Sequence, residues 1–152
     1  LNMAQLCGDE PPAYWEGVAV PVIKQIKVHE YHPMNEVTSD VLRRVDQVVS
    51  RGHLAMLDKY EAGSLGGTGR TFDWSIARDV AKHHDFFLAG GLSPENAAEA
   101  ITMVNPWCID ISTGVETDGV KNVDKIIALA QQVHRAGGRT TKSPHANTHE
   151  VD

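Results

Sequence analysis

The 152-residue chain has the composition of one ordinary globular domain, with 41% hydrophobic and 22% charged residues. Fourteen Lys and Arg against twenty Asp and Glu give a net charge of −6, and no basic cluster is dense enough to bind a nucleic-acid backbone. No apolar run approaches the roughly 20 residues that span a bilayer, and the N-terminal residues lack the features of a signal peptide. The composition therefore indicates a cytoplasmic protein with neither nucleic acid nor a membrane as partner.

The cysteines and histidines give no support to a disulfide or a metal site. Cys7 and Cys108 lie in separate strand-like runs without a CxxC or Cys/His spacing, so we expect both to be reduced. The histidines lie at an expected helix end, beside a loop and in the tail, and they include His83, His84, His29, His32, His145 and His149. None has a ligand partner at the usual spacing. The sequence therefore predicts no metal.

Five short apolar runs alternate with amphipathic stretches, which predicts repeated βα units. The expected strands, in chain order, are MAQLC, PVIKQIKV, LAMLD, FFLAGGL and WCIDIS. Such units form a parallel sheet, which is either an open doubly wound sheet or a closed barrel. Polar residues within the runs weakly favour the barrel, because the strands of an open sheet are usually apolar on both faces.

Three of the expected helices have clear start, stop or packing signals. Gly52 ends the helix of SDVLRRVDQVVSRG, Ser93 is the N-cap of the next with Pro94 at its first position, and the last runs from near Asn122 to Gly137. The residues expected to be buried are Val41, Leu42, Val45, Val48 and Val49, then Ala97, Ala100, Ile101 and Val104, and finally Ile126, Ile127, Ala130 and Val133. Residues 138–152 are polar, and we expect a disordered tail.

Side-chain alternation along the strands gathers polar residues on one face. In WCIDIS, Asp110 shares a face with Cys108 and Ser112. By the same parity Gln5, Lys24 and Asp58 are expected to meet Asp110 near the strand C-termini, where barrel active sites lie. Each carboxylate is either a structural acceptor or an acid whose pKa burial raises, and Lys24 is either an ion-pair partner or a Schiff-base amine.

Glycine-rich turns follow three consecutive strands. The segment EAGSLGGTGRTFDW lies between a strand and a helix, where backbone N–H groups can approach a phosphate, although no Lys-Ser/Thr pair makes it a P-loop. Gly90 and Gly91 follow the next strand, and Gly114 follows the last. This order fits the phosphate site that barrels build after strands 7 and 8. The alternative is a set of ordinary turns that need permissive backbone angles.

These segments resemble, in order, consecutive parts of the phosphoribosylanthranilate isomerase family. AQLCGDE is similar to the family's fourth strand, with Cys7 where the family usually has His, and PVIK is similar to the fifth strand. LDKYEAGSLGGTGRTFDW, LAGGLSPENAAEAI and IDISTGVETDGVKNVDKI are similar to the sixth, seventh and eighth units. The resemblance implies an α/β fold in which residues 1–137 form strands 4 to 8 of a (β/α)₈ TIM barrel with their helices.

The resemblance also implies a reaction. The family carries out an Amadori rearrangement of N-(5-phosphoribosyl)anthranilate to 1-(2-carboxyphenylamino)-1-deoxyribulose 5-phosphate in tryptophan biosynthesis, without a metal or organic cofactor. The family's Asp on the eighth strand, which protonates the ring oxygen, maps onto Asp110. The residues that would hold the substrate phosphate are Gly66, Gly67, Thr68, Gly69, Gly90, Gly91, Ser112, Thr113 and Gly114.

The family's general-base Cys belongs to a KxCG-like first strand that these residues do not include. Cys7 is not that base, because it lies at the end of the segment resembling the fourth strand. The chain opens on Leu1 within a strand-like pattern, so we expect a longer native protein, a partner chain or a fused tryptophan-pathway enzyme to supply the rest. The fragment alone is expected to be inactive. The alternatives are a non-catalytic phosphate-binding or assembly module, and a sibling barrel enzyme acting on a related ribulose phosphate.

Overall fold

The computed structural model describes residues 1–30, 33–60 and 71–137 of the chain. Its central feature is a five-stranded parallel sheet in which the order along the chain and the order in space coincide. The strands are β1 (Ala4–Leu6), β2 (Val22–Val28), β3 (Leu54–Lys59), β4 (Phe86–Leu88) and β5 (Cys108–Ile109). All five expected strands are confirmed, although β1, β4 and β5 are shorter than the runs that predicted them.

The helices are α1 (Pro12–Glu16), α2 (Met34–Val49), α3 (Trp74–Val80), α4 (Ala97–Val104) and α5 (Val123–Ala136). Side chains from α1 to α4 share one apolar core with a single face of the sheet. A doubly wound sheet carries helices on both faces and reverses its strand order at a switch point. Consecutive strand order with one helix layer is instead the arrangement of a TIM barrel. No helix in the described ranges is long and apolar enough to cross a membrane.

Helix α2 attaches the helix layer to the sheet through its apolar stripe. Val41, Val45 and Val48 are almost completely buried, and Leu42 and Val49 pack beside them. The predicted face of this helix is therefore confirmed. The helix begins at Met34, earlier than its sequence signals indicated, and it ends shortly before a glycine in the left-handed region at φ +77°.

The start of α4 differs from the prediction. Its N-cap is Asn96 and not Ser93, and Pro94 lies in the turn before the helix. The Ser93 hydroxyl accepts a hydrogen bond from the Glu95 N–H at 3.3 Å, so Ser93 closes this separate turn. The packing stripe is as predicted: the residues buried from α4 are Ala97, Ala100 and Val104, with Ile101 partly buried.

Helix α5 has the predicted ends but not the predicted burial. Asn122 caps it by accepting hydrogen bonds from two backbone N–H groups of the first turn, and the helix ends at Ala136. None of its residues is buried: Ile126 is 43% exposed and Ile127 is 50% exposed. The prediction that Ile126, Ile127, Ala130 and Val133 form a buried stripe is therefore wrong. The reason is that β5 is an edge strand, beyond which no described element covers the helix.

The two faces of the sheet differ in chemistry. The helix-facing side is apolar and includes Val22, Ile26, Ala55, Leu57 and Leu88. The strand register aligns a second row on the opposite side, formed by Gln25, Met56, Phe87 and Cys108. Ile109 packs with the helix-side core, as alternation in WCIDIS predicted. The polar face, opposite the helices, thus carries Gln25 and Asp58, whereas Lys24 is buried on the helix side.

A short antiparallel hairpin precedes α5 and was not predicted. It pairs β6 (Glu116–Thr117) with β7 (Val120–Lys121). Its two central residues, Asp118 and Gly119, have φ values of 51° and 77°. Two positive φ angles are the requirement of a type I′ turn, for which Asp-Gly is a preferred pair.

The burial of the helix-facing side predicts that truncating Leu57 lowers the stability of the fold much more than truncating Ile127 does. Leu57 is fully buried in the core, so Leu57→Ala should lower the free energy of unfolding by about 2–5 kcal/mol. Ile127→Ala removes a half-exposed side chain and should cost less than about 1 kcal/mol. Urea denaturation followed by circular dichroism measures both values. Equal losses in the two variants would contradict the described core.

Candidate active site

Parallel strands in consecutive order place their carboxyl ends at one edge of the sheet, and the candidate site lies there. Asp58 is near the end of β3, Gly90 and Gly91 follow β4, and Asp110 follows β5. The Asp110 N–H donates to the Leu88 carbonyl at 2.8 Å, which extends the pairing of β4 with β5 by one more residue. The three strand ends are therefore held together by backbone hydrogen bonds.

Asp58 has a defined position between β2 and the turn after β4. Gln25 on β2 donates from Nε2 to the Asp58 Oδ2 at 2.5 Å. The other oxygen, Oδ1, lies against Gly90, where an added Cβ would come within 2.8 Å of it. The two oxygens of this carboxyl group thus have close neighbours on β2 and in the turn after β4.

Burial dominates the electrostatics of Asp58. It raises the pKa of the carboxyl group, because the charged form loses solvation. The Lys59 backbone amide, the Gln25 hydrogen bond and the positive charge of Lys27 lower this pKa, and the negative charge of Asp110 raises it. The net result is a pKa above the ordinary value, so Asp58 keeps its proton to higher pH than a solvated aspartate does.

Asp110 lies in a different environment from the one expected. The sequence predicted a carboxyl group buried inside an apolar strand, but β5 ends at Ile109 and Asp110 is exposed. The expectation of burial is therefore wrong for the described chain, because β5 is an edge strand with a neighbour on one side alone. Asp110 nevertheless lies on the expected side of the sheet, opposite the helices, because Ile109 and Ile111 on either side of it pack against the helix-side core.

The glycine turns after β4 and β5 pack against each other. A Cβ on Gly114 would lie 1.9 Å from the Leu92 carbonyl oxygen, so Gly alone allows this approach. Gly90 has φ +87°, and a Cβ there would lie 2.6 Å from the Lys59 backbone nitrogen. The structure thus brings the two predicted turns together and places one of them beside the end of β3.

The turn after β5 continues into a 3₁₀ helix, Thr113–Val115, which follows Ser112. The first N–H groups of a helix have no acceptor within the helix, so they can bind an anion. Lys121 on β7 donates to the Ser112 carbonyl at 2.8 Å and pairs with Glu116 at 2.7 Å. This lysine was not predicted as a site residue, because the hairpin that carries it was not predicted.

The two glutamines of the polar face differ in their contacts. Gln5 Nε2 lies 3.9 Å from the Met56 sulfur and 3.5 Å from the Cys7 sulfur, so it shares the expected face. Gln25 is the glutamine that contacts Asp58, and it was missed. The parity of β2 had been assigned to the wrong face, and adjacent residues of a strand point in opposite directions.

Lys24 lies on the helix side of the sheet and not with the other polar residues. It is 6% exposed, its Nζ pairs with Glu10 at 2.6 Å, and it also donates to the Gly8 carbonyl. The predicted convergence with Gln5, Asp58 and Asp110 is wrong for this residue. The ion-pair alternative is correct in kind, but its partner is Glu10, whose pKa the hydrogen bond from Lys24 lowers.

Part of the predicted site lies outside the described residues. This part comprises Gly66, Gly67, Thr68 and Gly69, and the tail 138–152 is also outside. Within the three described ranges, no group of three or more His, Cys, Asp or Glu could hold a metal ion. Cys7 and Cys108 are free thiols.

Comparison with known proteins adds a family to this geometry. The family model described as N-(5'phosphoribosyl)anthranilate (PRA) isomerase matches residues 1–132. The chain belongs to this family. The PRA isomerase of Moorella thermoacetica is 40% identical over 137 residues, a match that covers 90% of this chain and 57% of that protein. The chain spans 57% to 64% of the lengths of the first three curated relatives that it matches.

Solved PRA isomerase structures superpose on most of this chain. The enzyme from Thermotoga maritima superposes with a TM-score of 0.71 at 29% identity, covering 89% of this chain and 62% of that one. A second structure, described as a complex with reduced 1-(o-carboxyphenylamino)-1-deoxyribulose 5-phosphate, has a TM-score of 0.64 at 30% identity and covers 89% and 60% of the two chains. The described α/β fold is therefore that of PRA isomerases.

Gly90 and Gly119 have similar φ angles but different surroundings, so alanine substitutions at the two positions distinguish the cost of steric crowding from that of backbone strain. Gly119→Ala adds a Cβ in open space at φ +77°, and it should cost about 1–2 kcal/mol of unfolding free energy. Gly90→Ala has the same strain and also crowds the Lys59 nitrogen and Asp58, which should add about 1–3 kcal/mol. Denaturation curves of both variants test the difference. A loss at Gly90 no larger than that at Gly119 would mean that this close approach is not tight.

Proposed function

We propose that these residues form strands four to eight of a phosphoribosylanthranilate isomerase barrel and carry its proton donor and phosphate site. The reaction is the Amadori rearrangement of N-(5-phosphoribosyl)anthranilate to 1-(2-carboxyphenylamino)-1-deoxyribulose 5-phosphate. The main support is the convergence of Asp58, Asp110 and two glycine turns at one sheet edge, in a member of this family. The substrate carries its phosphate on C5 of the ribose and reacts at C1, C2 and the ring oxygen, so an anchored phosphate next to a proton donor suits it.

The reaction needs one acid and one base. Ring opening breaks the bond between C1 and the ring oxygen, and the oxygen takes that electron pair and a proton from the acid. The anilinic nitrogen supplies its lone pair to form the C=N bond. A base then removes the C2 proton, and the resulting enamine tautomerises to the ketose. Both steps are proton transfers, so the requirement on the protein is correctly placed groups with suitable pKa values.

The geometry favours Asp58 over Asp110 as the proton donor. Asp58 is held by Gln25 and Gly90, and burial raises its pKa, whereas Asp110 is exposed. A general acid must hold its proton near neutral pH, and desolvation moves the pKa of a carboxyl group in that direction. Asp110 then acts through its negative charge, which raises the pKa of Asp58. The role that the family resemblance gives to Asp110 thus passes to its neighbour on β3.

The phosphate site is proposed at the packed turns after β4 and β5. Its members in the described chain are Gly90, Gly91, Ser112, Thr113 and Gly114, and Gly66, Gly67, Thr68 and Gly69 complete the proposed set. The close approach of Gly114 to the Leu92 carbonyl supports one continuous backbone surface. Such a surface binds phosphate through N–H groups at a helix start. Lys121 lies beside Ser112, where its charge is paired with that of Glu116.

The rest of the barrel is proposed to come from three further βα units, on the same polypeptide or a partner. The match to the Moorella thermoacetica protein leaves roughly 100 of its residues unmatched, enough for three units of about 30 residues each. A groove of about 1200 Å³ between α4, α5 and β5, lined by Trp107 and Ile126, is where these units would pack. They would also carry the general base, because Cys7 follows β1, which resembles the family's fourth strand and not its first.

The 152-residue chain alone is expected to show no turnover of phosphoribosylanthranilate. Adding a polypeptide with the first three βα units of a relative should restore turnover, measured by chromatography of substrate and product. Ile126→Lys places a charge in the groove and should prevent this recovery, whereas Ile127→Lys, outside the groove, should not. Ordinary turnover by the unsupplemented chain would contradict the proposed missing base.

In the completed barrel, Asp58→Asn should lower kcat by at least about 100-fold, as expected for loss of a general acid. Asp110→Asn should retain more activity and move the alkaline limb of the pH–rate profile to lower pH, because it removes a charge that raises the pKa of Asp58. Calorimetry with the reduced product analogue should show nearly unchanged binding for both variants. A larger kcat loss in Asp110→Asn would return the acid role to Asp110.

A non-catalytic phosphate-binding or assembly module is the second candidate. The observation in its favour is the close packing of the turns after β4 and β5, because a phosphate site made of backbone N–H groups needs no base. The same completed barrel separates the two candidates. Retained binding of the reduced product analogue without turnover in the unmodified protein would favour the module, whereas turnover that depends on Asp58 would exclude it.

A further inference from the structure

The hydrogen bond from Gln25 to Asp58 joins two strands at the candidate site. In the strand register Gln25 is opposite Met56, so its side chain reaches diagonally toward the carboxyl end of β3 to contact Asp58. The directly opposite residue is Lys27, which influences Asp58 through its charge. Gln25 is therefore the side chain that the structure places in hydrogen-bonding contact with Asp58.

Asp58 is confined from two sides. Gln25 Nε2 donates a hydrogen bond to its Oδ2 at 2.5 Å, and the Gly90 backbone lies beside its Oδ1. A carboxyl group that turned about its Cβ–Cγ bond would lose the first contact and move against the second. Without the Gln25 side chain the carboxyl group could rotate, because Gly90 would then contact it from one side alone.

We propose that Gln25 is a positioning residue, which holds the Asp58 carboxyl group through Oδ2 and keeps Oδ1 against the Gly90 turn. This inference rests on the proposed role of Asp58 as proton donor. When the O–H bond of Asp58 breaks and the proton passes to the substrate ring oxygen, the carboxylate left behind keeps the N–H···O bond from Gln25. A hydrogen bond to the charged form stabilises it, so Gln25 assists the release of the proton.

Four groups influence the titration of Asp58 besides its burial. Lys27 faces it from β2 and Asp110 from beyond β5, and the Lys59 amide follows it in the chain. Lys27, the Lys59 amide and Gln25 favour the ionised form, while burial and Asp110 oppose it. Removing Gln25 alone therefore leaves the opposing effects in place, and the pKa of Asp58 should rise.

The test is a carbon-detected NMR titration of the Asp58 carboxyl carbon in the 152-residue chain, assigned by its loss in Asp58→Asn. Gln25→Met removes the donor at similar side-chain size and should raise the proton affinity of Asp58 roughly tenfold. Gln25→Glu keeps a polar side chain but adds a negative charge, so it should raise the affinity further. The matched control is Gln5→Met, which makes the same change on the same face without contacting Asp58.

The inference is overturned if neither Gln25 variant shifts the titration, or if Gln5→Met shifts it equally. Amide spectra establish that each variant is folded, and Gln25→Glu provides a second reading should the apolar substitution disturb the fold. In the completed barrel, Gln25→Met should lower kcat with little change in KM and move the alkaline limb to higher pH. A shifted titration without a shifted pH–rate profile would mean that Asp58 is not the acid, which is a failure of the proposed function and not of the Gln25 contact.

Discussion

The pairing of β2 with β3 runs over six residue pairs, from Ile23 with Leu54 to Val28 with Lys59, and the site is built on it. This register places Gln25 within reach of Asp58 and Lys27 directly opposite it. Since side chains alternate along a strand, a slip of one residue would send Asp58 into the helix-side core and Leu57 to the polar face. The buried residues on the helix side therefore also determine which groups can do chemistry on the other side.

Glycine turns extend this arrangement to the neighbouring strands. Gly90 allows the chain after β4 to touch the end of β3, and Gly114 allows the chain after β5 to touch the turn after β4. Each contact is possible because a Cβ is absent, so the packing of the sheet edge and the proposed phosphate surface have one physical origin. Because these turns bring the ends of β3, β4 and β5 together, the negative charge of Asp110 is near enough to raise the pKa of Asp58.

Packing weakens from the middle of the sheet toward β5. Helix α2 lies against β2 and β3 and buries its apolar stripe, whereas α5 leaves Ile126 and Ile127 half exposed beside an open groove. Both helices have amphipathic sequences of similar quality. The difference is that α2 packs against β2 and β3, which have neighbours on both sides, whereas α5 packs mainly against α4 and lies across a groove from the edge strand β5. The apolar face of α5 therefore has no described surface that covers it.

Periodicity and glycine spacing were sufficient to predict the five strands, the buried face of α2 and the extent of α5, because these depend on local alternation and backbone preferences. The family was identified in a different way, from the resemblance of five motifs, taken in order, to those of phosphoribosylanthranilate isomerases. What the tertiary structure decided was the direction of each polar side chain. Alternation separates Lys24 from Gln25 but does not say which of them faces the helices, and an apolar run does not say whether Asp110 has a neighbouring strand. Those outcomes depend on contacts between residues distant in the chain, which a local pattern does not contain.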